Sequence, residues 1–471
     1  MNACERLLED YTRSKEHLPG SSLPWLNAFR ESAIENFAAQ GLPGPRDENW
    51  KYTPIKQLQR VDYKLAQQLA TASIDSLAEQ ILSKQLCPDE HCLVFINGFY
   101  KNSLSTHAPL PEGIILNSFS QALQHHPQLI AAELGKIAND QELPFSALNS
   151  AMISDGVFLW AAENSSIKHP IHCLFVSTTS EQPVICHPRL LLILKEHAQL
   201  TLIEHYIDLP GYPDANSTET PLTKSDRNLL NVVTEIQLSP GAQLNHYKLQ
   251  YQSVNSSHIA TMYIQQQRAS SFTSHSYSLG AALARNDIQI KLSADHAQCS
   301  LNGVYVVDAG QHVDYHTKIE HLAPACNSRQ IYKGVVQGHA RAVFNGKVVI
   351  HPAAQQSNAR QLNKNLLLGE QGEVDTKPEL QIYADDVQCS HGATVGQLDT
   401  QALFYLRSRG ISKKDAQAWL IYGFVSEQLE RIDNPLLRKF IELPVITQLN
   451  QLVSNDASNL QQFFAIDSGE L

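Results

Sequence analysis

The sequence has little positive charge and no long hydrophobic run. Its 471 residues include 36 Lys and Arg against 47 Asp and Glu, which gives a formal net charge of −11. Such a chain has no overall positive field to attract a phosphate backbone, so we do not expect a nucleic-acid-binding protein. No segment approaches the roughly 18 apolar residues of a membrane-spanning helix, and the first residues do not resemble a secretory signal. We therefore expect a soluble, cytoplasmic protein.

Cysteine is also scarce, and the eight cysteines are scattered along the chain. Disulfide frameworks are typical of short secreted proteins, so we expect reduced thiols. Only Cys87 and Cys92 are close in sequence, and the absence of a second close pair excludes the four-ligand zinc motif. We interpret this pair as structural, because free cysteines commonly pack as small hydrophobic residues, with a metal or redox role as the alternative.

The motifs of several enzyme classes are absent. The chain contains no P-loop, no G-x-G-x-x-G fingerprint, no H-E-x-x-H zinc motif and no G-x-S-x-G elbow, which removes the simplest support for nucleotide hydrolysis, dehydrogenase, zincin or hydrolase activity. The segment 330–369 contains five Lys or Arg residues and no Asp or Glu. It therefore lacks the paired carboxylates that a glycosidase needs.

The hydrophobic pattern divides the chain into three regions. Residues 1–140 show mainly helical patterns, residues 141–396 show short alternating apolar runs between turn residues, and residues 397–471 are helical again. The similar segments 297–307 and 340–350 carry Asn-Gly 43 residues apart, which indicates two turns of a solenoid with about 20 residues per coil. The sequence thus predicts a mainly β core, either a parallel β-helix or an antiparallel sandwich.

The C-terminal region contains clear helix boundaries. Gly410 ends one segment, Ser412 begins a second, and Pro435 begins a third that we expect Pro444 to end.

The middle C-terminal helix is apolar on nearly every side between residues 416 and 425. Its large side chains include Trp419, Leu420 and Phe424. Such a helix is either enclosed by its neighbours or covered by a partner.

Two strand-like segments place ligand-type side chains on one face. A period of two puts His312, Asp314 and His316 together as a candidate nitrogen and oxygen ligand set, and it puts Cys389 beside His391. Each set also has an ordinary explanation, because histidines often lie on the solvent face of a strand and thiols are often simply buried. Two ligands are half a site, which a partner chain would have to complete.

Three strings resemble a known family. CSHGATVG at 389–396, FYLRSRGI at 404–411 and ENWKYT at 48–53 closely resemble SufD members of the SufB/SufD family, which belongs to the SUF iron–sulfur cluster assembly machinery. SufB members instead resemble a Glu-His-Glu-Ala pattern at the position of 389–393, and this difference favours the SufD branch. The resemblance extends from about residue 271 to 432 and through 45–60, and it is weak elsewhere.

This resemblance implies a right-handed parallel β-helix flanked by helical regions, in a non-enzymatic scaffold subunit. It implies pairing with a SufB-like subunit through the β-helix and docking of a SufC-like ATPase on the C-terminal helices, at or near Trp419, Leu420 and Phe424. It also implies that His391, with Cys389 nearby, helps to hold iron or a nascent cluster at the SufB interface. A part in iron entry and an association with reduced flavin are implied as well, and no residue is assigned to the flavin.

Two other functions stay open on the sequence. A stand-alone metal-dependent β-helix enzyme would use His312, Asp314 and His316 and would bind metal as an isolated chain. A purely structural partner of a SufB-like subunit would make His391 a packing residue, so that His391→Ala would leave the cluster yield unchanged. Exposed β-helix edges would also allow a homodimer when no SufB-like subunit is present.

Overall fold

The computed structural model describes residues 2–44, 46–68, 91–106, 108–138, 140–179, 182–209 and 226–453 of the chain. The helices in these ranges are α1 (Ala3–Ser14), α2 (Pro24–Gln40), α3 (Lys56–Arg60), α4 (Phe119–His125), α5 (Pro127–Glu133), α6 (Pro144–Ala151), α7 (Thr400–Ser408), α8 (Lys413–Leu429) and α9 (Pro435–Val453). Two 3-10 helices cover Glu48–Trp50 and Asn102–Leu104.

The strands in the same ranges are mostly about ten residues long from β9 onwards. They are β1 (Lys64–Leu65), β2 (Cys92–Ile96), β3 (Phe99–Tyr100), β4 (Ile114–Ser118), β5 (Gly156–Ala161), β6 (Ile171–Thr178), β7 (Val184–Cys186), β8 (Arg189–Leu194), β9 (Gln199–Leu209), β10 (Leu229–Leu238), β11 (Gln243–Tyr251), β12 (Ser257–Gln266), β13 (Ser271–Ser278), β14 (Leu283–Leu292), β15 (Gln298–Val307), β16 (His312–His321), β17 (Asn327–Val336), β18 (Arg341–Ile350), β19 (Ser357–Leu367), β20 (Glu373–Ile382) and β21 (Val387–Gly396).

These strands form two sheets that stack as a parallel β-solenoid. Even-numbered strands from β8 to β20 lie in one sheet, which we call sheet A, and odd-numbered strands from β9 to β21 lie in the other, sheet B. Each coil contributes one strand to each sheet, so β8 to β21 make about seven coils. At the first end, β4 and β5 extend sheet A, whereas β2, β3 and β6 extend sheet B. The predicted parallel β-helix with helical regions on both sides is confirmed, and the antiparallel sandwich is excluded.

The coils are longer than the sequence repeat suggested. The strand register pairs Ser257 with Leu283, 26 residues later, and Arg341 with Glu373, 32 residues later. Our expectation of about 20 residues per coil is therefore wrong, because each coil holds two long strands and two turns. The spacing of 43 residues is about one and a half coils, and it relates β15 of sheet B to β18 of sheet A.

The repeated Asn-Gly pair has a packing explanation. A Cβ atom on Gly303 would lie 2.3 Å from the ring of Tyr332, and one on Gly346 would lie 1.8 Å from the amide nitrogen of Gln361. Both glycines therefore leave room for a large side chain of a nearby strand. The two segments look alike because each strand must accommodate such a side chain, and they do not stack on each other.

Residues at one register position form rows through the solenoid. One inward-facing row on sheet B consists of Leu200, Leu244, Phe272 and Cys299, all of them buried. Burial of each large apolar side chain stabilises the fold by roughly 1.5–3 kcal/mol. Such rows explain the alternating apolar residues of these strands, because every second side chain faces the core.

The N-terminal helices cover the outer face of sheet A. Phe37 of α2, Trp50 and Phe145 of α6 are buried in one cluster with Leu229 and Ile259, which point outwards from sheet A. The polar and aromatic segment around Trp50 is thus part of the packing between the N-terminal region and the solenoid.

Two C-terminal helices cover the outer face of sheet B. Ile421 and Val425 of α8 pack in one cluster with Leu449 of α9 and with Val304 and Val335 of sheet B. The unusually apolar α8 is therefore enclosed on one side by its own chain. No helix among the described residues combines the length and the apolar composition needed to cross a membrane.

Pro444 does not end α9, so this expectation from the sequence is wrong. The helix continues from Pro435 to Val453. A proline inside a helix removes a backbone hydrogen bond and costs about 3 kcal/mol. The buried face of α9 continues on both sides of the proline, through Ile441, Val445 and Leu449, and this packing outweighs the local cost.

Candidate functional site

Strand β21 is the last strand of sheet B and forms an open edge of the solenoid. It pairs with β19 on one side, and no described strand pairs with its other side. The register places Cys389 beside Ala359 and His391 beside Gln361. Side chains at one register position of a parallel sheet point the same way, and both Ala359 and Gln361 are buried. Cys389 and His391 therefore share the inward-facing side of the last strand.

The two candidate ligands differ in exposure. Cys389 is half-buried and packs against a cluster that contains Val348 and Ile350, whereas His391 is exposed. Burial raises the pKa of the Cys389 thiol, and a backbone hydrogen bond with Ala359 acts in the opposite direction. The free side chain is therefore mainly a thiol at neutral pH, and metal binding to its sulfur would release a proton.

A buried amide lies next to His391. Gln361 is the register neighbour of His391, and Gln330 continues the same row in the preceding coil. Both side-chain polar atoms of Gln361 are buried without a hydrogen-bond partner among the described residues. Adjacent strands are about 4.8 Å apart, so this amide lies one strand spacing from His391, and its polar atoms make no hydrogen bond to the imidazole. Sequence reasoning missed Gln361 because it lies a whole coil before His391.

The donor set at β21 is small. In the part of the chain that the structure describes, no group of three or more His, Cys, Asp or Glu side chains is arranged to hold a metal ion. Cys389 and His391 supply one sulfur and one nitrogen donor. A tetrahedral iron or cluster site would need further ligands from outside this strand.

The same end of the solenoid exposes large apolar side chains. Ile382 at the end of β20, Tyr383 after it and Val395 on β21 are 42%, 61% and 45% exposed. Open strand edges with exposed apolar residues are suited to pairing with another chain.

The second predicted set, on β16, is brought together but is already engaged. The buried Asp314 carboxylate accepts hydrogen bonds from Arg285 at 2.7 Å and from the Thr53 hydroxyl at 2.5 Å. His316 Nε2 lies 3.1 Å from the other carboxylate oxygen, and His312 Nε2 lies 3.0 Å from the Thr53 hydroxyl. Burial alone would raise the pKa of Asp314, but His316 and Arg285 hold it well below its ordinary value. The Arg285 guanidinium thus provides the positive charge that a metal cation would otherwise supply.

Arg285 is fixed in turn by the segment 48–53. Its guanidinium lies 3.8 Å from the centre of the Trp50 ring and donates to the Asn49 carbonyl and to both carboxylate oxygens of Asp287. The string ENWKYT, which fits neither a helical nor a strand period, is therefore the segment that attaches the N-terminal region to sheet A. Sequence reasoning missed Arg285 because only the coil length places it beside Asp314.

The predicted partner residues on α8 are only partly exposed. Trp419, Leu420 and Phe424 are all half-buried, and Phe424 packs against the cluster between α8 and sheet B. The neighbouring helix α7 is more accessible, since Phe404 is 75% and Tyr405 is 56% exposed. The role of the α8 residues stays a prediction.

The predicted structural role of the Cys87 and Cys92 pair is also untested. Cys92 is buried on β2, and Cys87 lies outside the described residues.

The chain is similar to proteins of iron–sulfur cluster assembly along most of its length. The family model described as SUF system FeS cluster assembly, SufBD core domain matches residues 175–424, and the SufBD protein N-terminal region matches residues 1–173. An iron–sulfur cluster assembly SufBD family protein of Synechocystis sp. is 36% identical over 86% of each chain. The iron–sulfur cluster assembly protein SufD of Escherichia coli is 31% identical over 86% of this chain and 89% of that protein, and SufD of Bacillus subtilis is 25% identical over 91% and 93%. The chain therefore belongs to the SufBD family of SUF iron–sulfur cluster assembly proteins.

Proposed function

We propose that this chain is a SufD-type scaffold subunit that pairs with a SufB-like subunit and completes with it a shared site for iron or a nascent cluster. Family membership supports a role in iron–sulfur cluster assembly. The observation that carries the finer proposal is the half-site on β21, where Cys389 and His391 share one side of an open edge strand.

The chemistry of the two donors suits a transient cargo. Thiolate and imidazole both bind iron and iron–sulfur clusters, and a subunit that supplies only one or two ligands leaves the cluster free to transfer to an acceptor. Because burial raises the pKa of Cys389, protons compete with iron for its sulfur at neutral pH. His391, which is exposed, is then the ligand of this chain that an arriving iron meets first.

Pairing would use the open end of the solenoid. The outer edges of β20 and β21 have no partner strand among the described residues, and Ile382, Tyr383 and Val395 are exposed beside them. A second SufBD-type solenoid that docks there would cover these side chains and bring its own ligands to Cys389 and His391. In the absence of a SufB-like subunit, the same edges would support a homodimer.

A SufC-like ATPase would dock on the C-terminal helices. This chain contains no P-loop, so ATP hydrolysis would belong to that partner, and this subunit would not be catalytic. Phe404 and Tyr405 on α7 offer the exposed apolar contacts, and Trp419, Leu420 and Phe424 on α8 would support them from the partly buried side.

Iron entry and flavin association are further parts of the proposal. An exposed His391 is compatible with the capture of iron at the interface. The apolar pocket between α1 and sheet A, lined by Leu7, Tyr63 and Phe145, has a volume of about 30 Å³. This volume is well below the roughly 300–1,000 Å³ of small-molecule sites, so a flavin ring does not fit the pocket. We therefore assign no flavin to it.

The proposal is tested by anaerobic co-purification of this chain with the SufB-like and SufC-like proteins of the same organism. Iron and sulfide are measured in the wild-type complex and in complexes with Cys389→Ala, His391→Ala or His339→Ala. We expect all three proteins to elute together in each case, and we expect the His391→Ala complex to lose most of its iron. His339 is an exposed histidine in the turn before β18, so His339→Ala is the matched control and keeps its iron.

Two outcomes would contradict the proposal. If the chain elutes alone, it is not a subunit of this complex. If the His391→Ala complex forms and keeps its iron and sulfide, the residue is a packing residue and the chain is a purely structural partner.

A further inference from the structure

The outer face of sheet B carries a polar groove that the cluster chemistry does not use. The groove has a volume of about 300 Å³ and lies over β13, β15, β17 and β19, between the first residues of these strands. Its polar lining includes Thr273, Ser300, Asn327, Arg329, Asn358 and Arg360. Its size is at the lower end of the range of small-molecule sites.

The strand register aligns these residues in two rows. Thr273, Ser300, Arg329 and Arg360 are successive neighbours in one row, and Asn327 is paired with Asn358 in the next. Parallel strands are about 4.8 Å apart, so the backbones of the two arginines are held at that spacing. Two forked guanidinium groups and a row of hydroxyl and amide groups form a set rich in hydrogen-bond donors.

The two arginines have no acidic partner among the described residues. Neither Arg329 nor Arg360 lies within ion-pair distance of a carboxylate in the described ranges, although both are exposed. Glu427, whose charge acts on Arg329, is already held by Lys333 at 2.7 Å and by Arg431 at 3.0 Å. The hydrogen bonds from Lys333 and Arg431 lower the pKa of Glu427 to about 2, so its charge is already compensated.

The local charge is positive in a chain whose net charge is −11. The segment 330–369 contains no Asp or Glu. The pKa of Arg329 lies below its ordinary value, because desolvation of the guanidinium and the nearby guanidinium groups of Arg431 and Arg360 disfavour its charge, although the residue as a whole is exposed. A bound anion would relieve this repulsion.

We propose that this groove binds the phosphate or diphosphate group of a small molecule, with Arg329 and Arg360 as the charged ligands. Arginine side chains bind phosphate oxygens in a bidentate way, and the neighbouring Thr273 and Ser300 hydroxyls would donate further hydrogen bonds to the phosphate. The lining contains few aromatic surfaces, so recognition would fall on the phosphate and not on a stacked ring. This site is separate from the half-site on β21, which lies on the inward side of sheet B.

Isothermal titration of the full chain with sodium diphosphate, at constant ionic strength, tests this assignment. We expect one saturable site in the wild type and a Kd at least about tenfold weaker in Arg329→Gln/Arg360→Gln. The control Arg60→Gln/Lys291→Gln removes two exposed cations elsewhere and should change Kd by less than about twofold. Circular dichroism verifies that both double variants are folded.

A second titration distinguishes the source of the phosphate. If ADP binds with the same affinity as diphosphate, the groove recognises the diphosphate group alone, whereas much tighter binding of ADP shows that the nucleoside also contributes. The proposal is overturned if the wild type shows no saturable binding of either compound, or if both double variants weaken binding equally.

Discussion

Strands β16 and β21 each place ligand-type side chains on one face, yet the structure treats them in opposite ways. On β16, Asp314 is completely buried and surrounded by Arg285, Thr53 and His316. On β21, His391 is exposed at an edge without a described partner strand. Sequence spacing identifies side chains that share a face. The surrounding chain decides whether their polar atoms already have hydrogen-bond and ion-pair partners. The set on β16 stabilises the fold, and the set on β21 is the one for which we propose a partner.

The largest loss of unfolding free energy is expected when Asp314 is replaced by alanine. Asp314→Ala leaves the buried Arg285 charge without one of its two carboxylates, and loss of a partner from a buried pair costs about 3–5 kcal/mol. Urea unfolding measures this cost. The matched control is Asp375→Ala, whose partner Arg341 is about one-third exposed, and which should cost at most about 1 kcal/mol. Equal effects of the two variants would mean that Asp314 is not a structural centre.

A smaller effect is expected at the segment that attaches the N-terminal region. Thr53→Val removes the hydrogen bond to the Asp314 carboxylate and the contact with His312. A hydrogen bond to a charged group contributes about 1.5–3 kcal/mol, and we expect a loss of unfolding free energy in this range. Ser426→Ala, which removes an exposed hydroxyl contact on α8, serves as control. A Thr53→Val protein as stable as the control would show that the segment is held by the contacts of Trp50 and Asn49 with Arg285, without Thr53.

The pH dependence of stability tests the burial of His321. Burial lowers the pKa of His321 to about 4, whereas an unfolded histidine has a pKa of about 6.5. Between these values the unfolded chain binds a proton that the folded chain does not. The unfolding free energy therefore falls as the pH drops from about 6.5 to about 4, by up to about 1.4 kcal/mol per pH unit for this residue.

This pH effect is measured by urea unfolding of His321→Gln at several pH values. The unfolding free energy of the variant should fall less steeply with decreasing pH than that of the wild type, because one fewer proton is taken up on unfolding. Ser328→Ala removes the hydrogen-bond partner of His321 without removing a titrating group, so it should lower stability at pH 7 and keep most of the wild-type slope. If the unfolding free energy of His321→Gln depends on pH as steeply as that of the wild type, His321 is not the source of this pH dependence.

Replacing Val395 should have the smallest effect on the unfolding free energy. It should nevertheless have a large effect on assembly with a partner. Val395→Lys places a charge on the open edge of β21 and should change stability by only about 0.5 kcal/mol, because the side chain is exposed. The same charge should prevent pairing with a SufB-like subunit in size-exclusion chromatography. Val254→Lys, at an exposed valine between β11 and β12, should leave pairing intact. Normal assembly of the Val395→Lys protein would place the interface elsewhere.

The sequence predicted the faces of strands better than the distances between them. A period of two correctly grouped His312 with His316 and Cys389 with His391, because side-chain alternation is a local property. Register neighbours of these two sets, Arg285 and Gln361, lie about one coil earlier, and no local pattern reveals which residues stack. The Asn-Gly repeat misled for the same reason, since it reflects the space needed by one neighbouring side chain and not the coil length.

Packing between distant elements explains the other differences. Pro444 has a strong local preference for ending a helix, but the apolar residues that follow it are buried against α8 and sheet B, and this gain exceeds the local cost. The segment around Trp50 had no recognisable period because its conformation is set by contacts with sheet A. Family resemblance supplied what the local pattern lacked, since the string at 389–396 pointed to the SufBD family, which the comparisons confirm.

The most direct test of this account compares iron binding by the isolated chain and by the assembled complex under anaerobic conditions. Equilibrium dialysis against Fe²⁺ is carried out with the wild type, His316→Ala and His391→Ala. The account predicts little iron in the isolated chain, and iron in the complex that is lost with His391→Ala and retained with His316→Ala. Stoichiometric iron in the isolated chain that disappears with His316→Ala would contradict it, because β16 would then be the metal site.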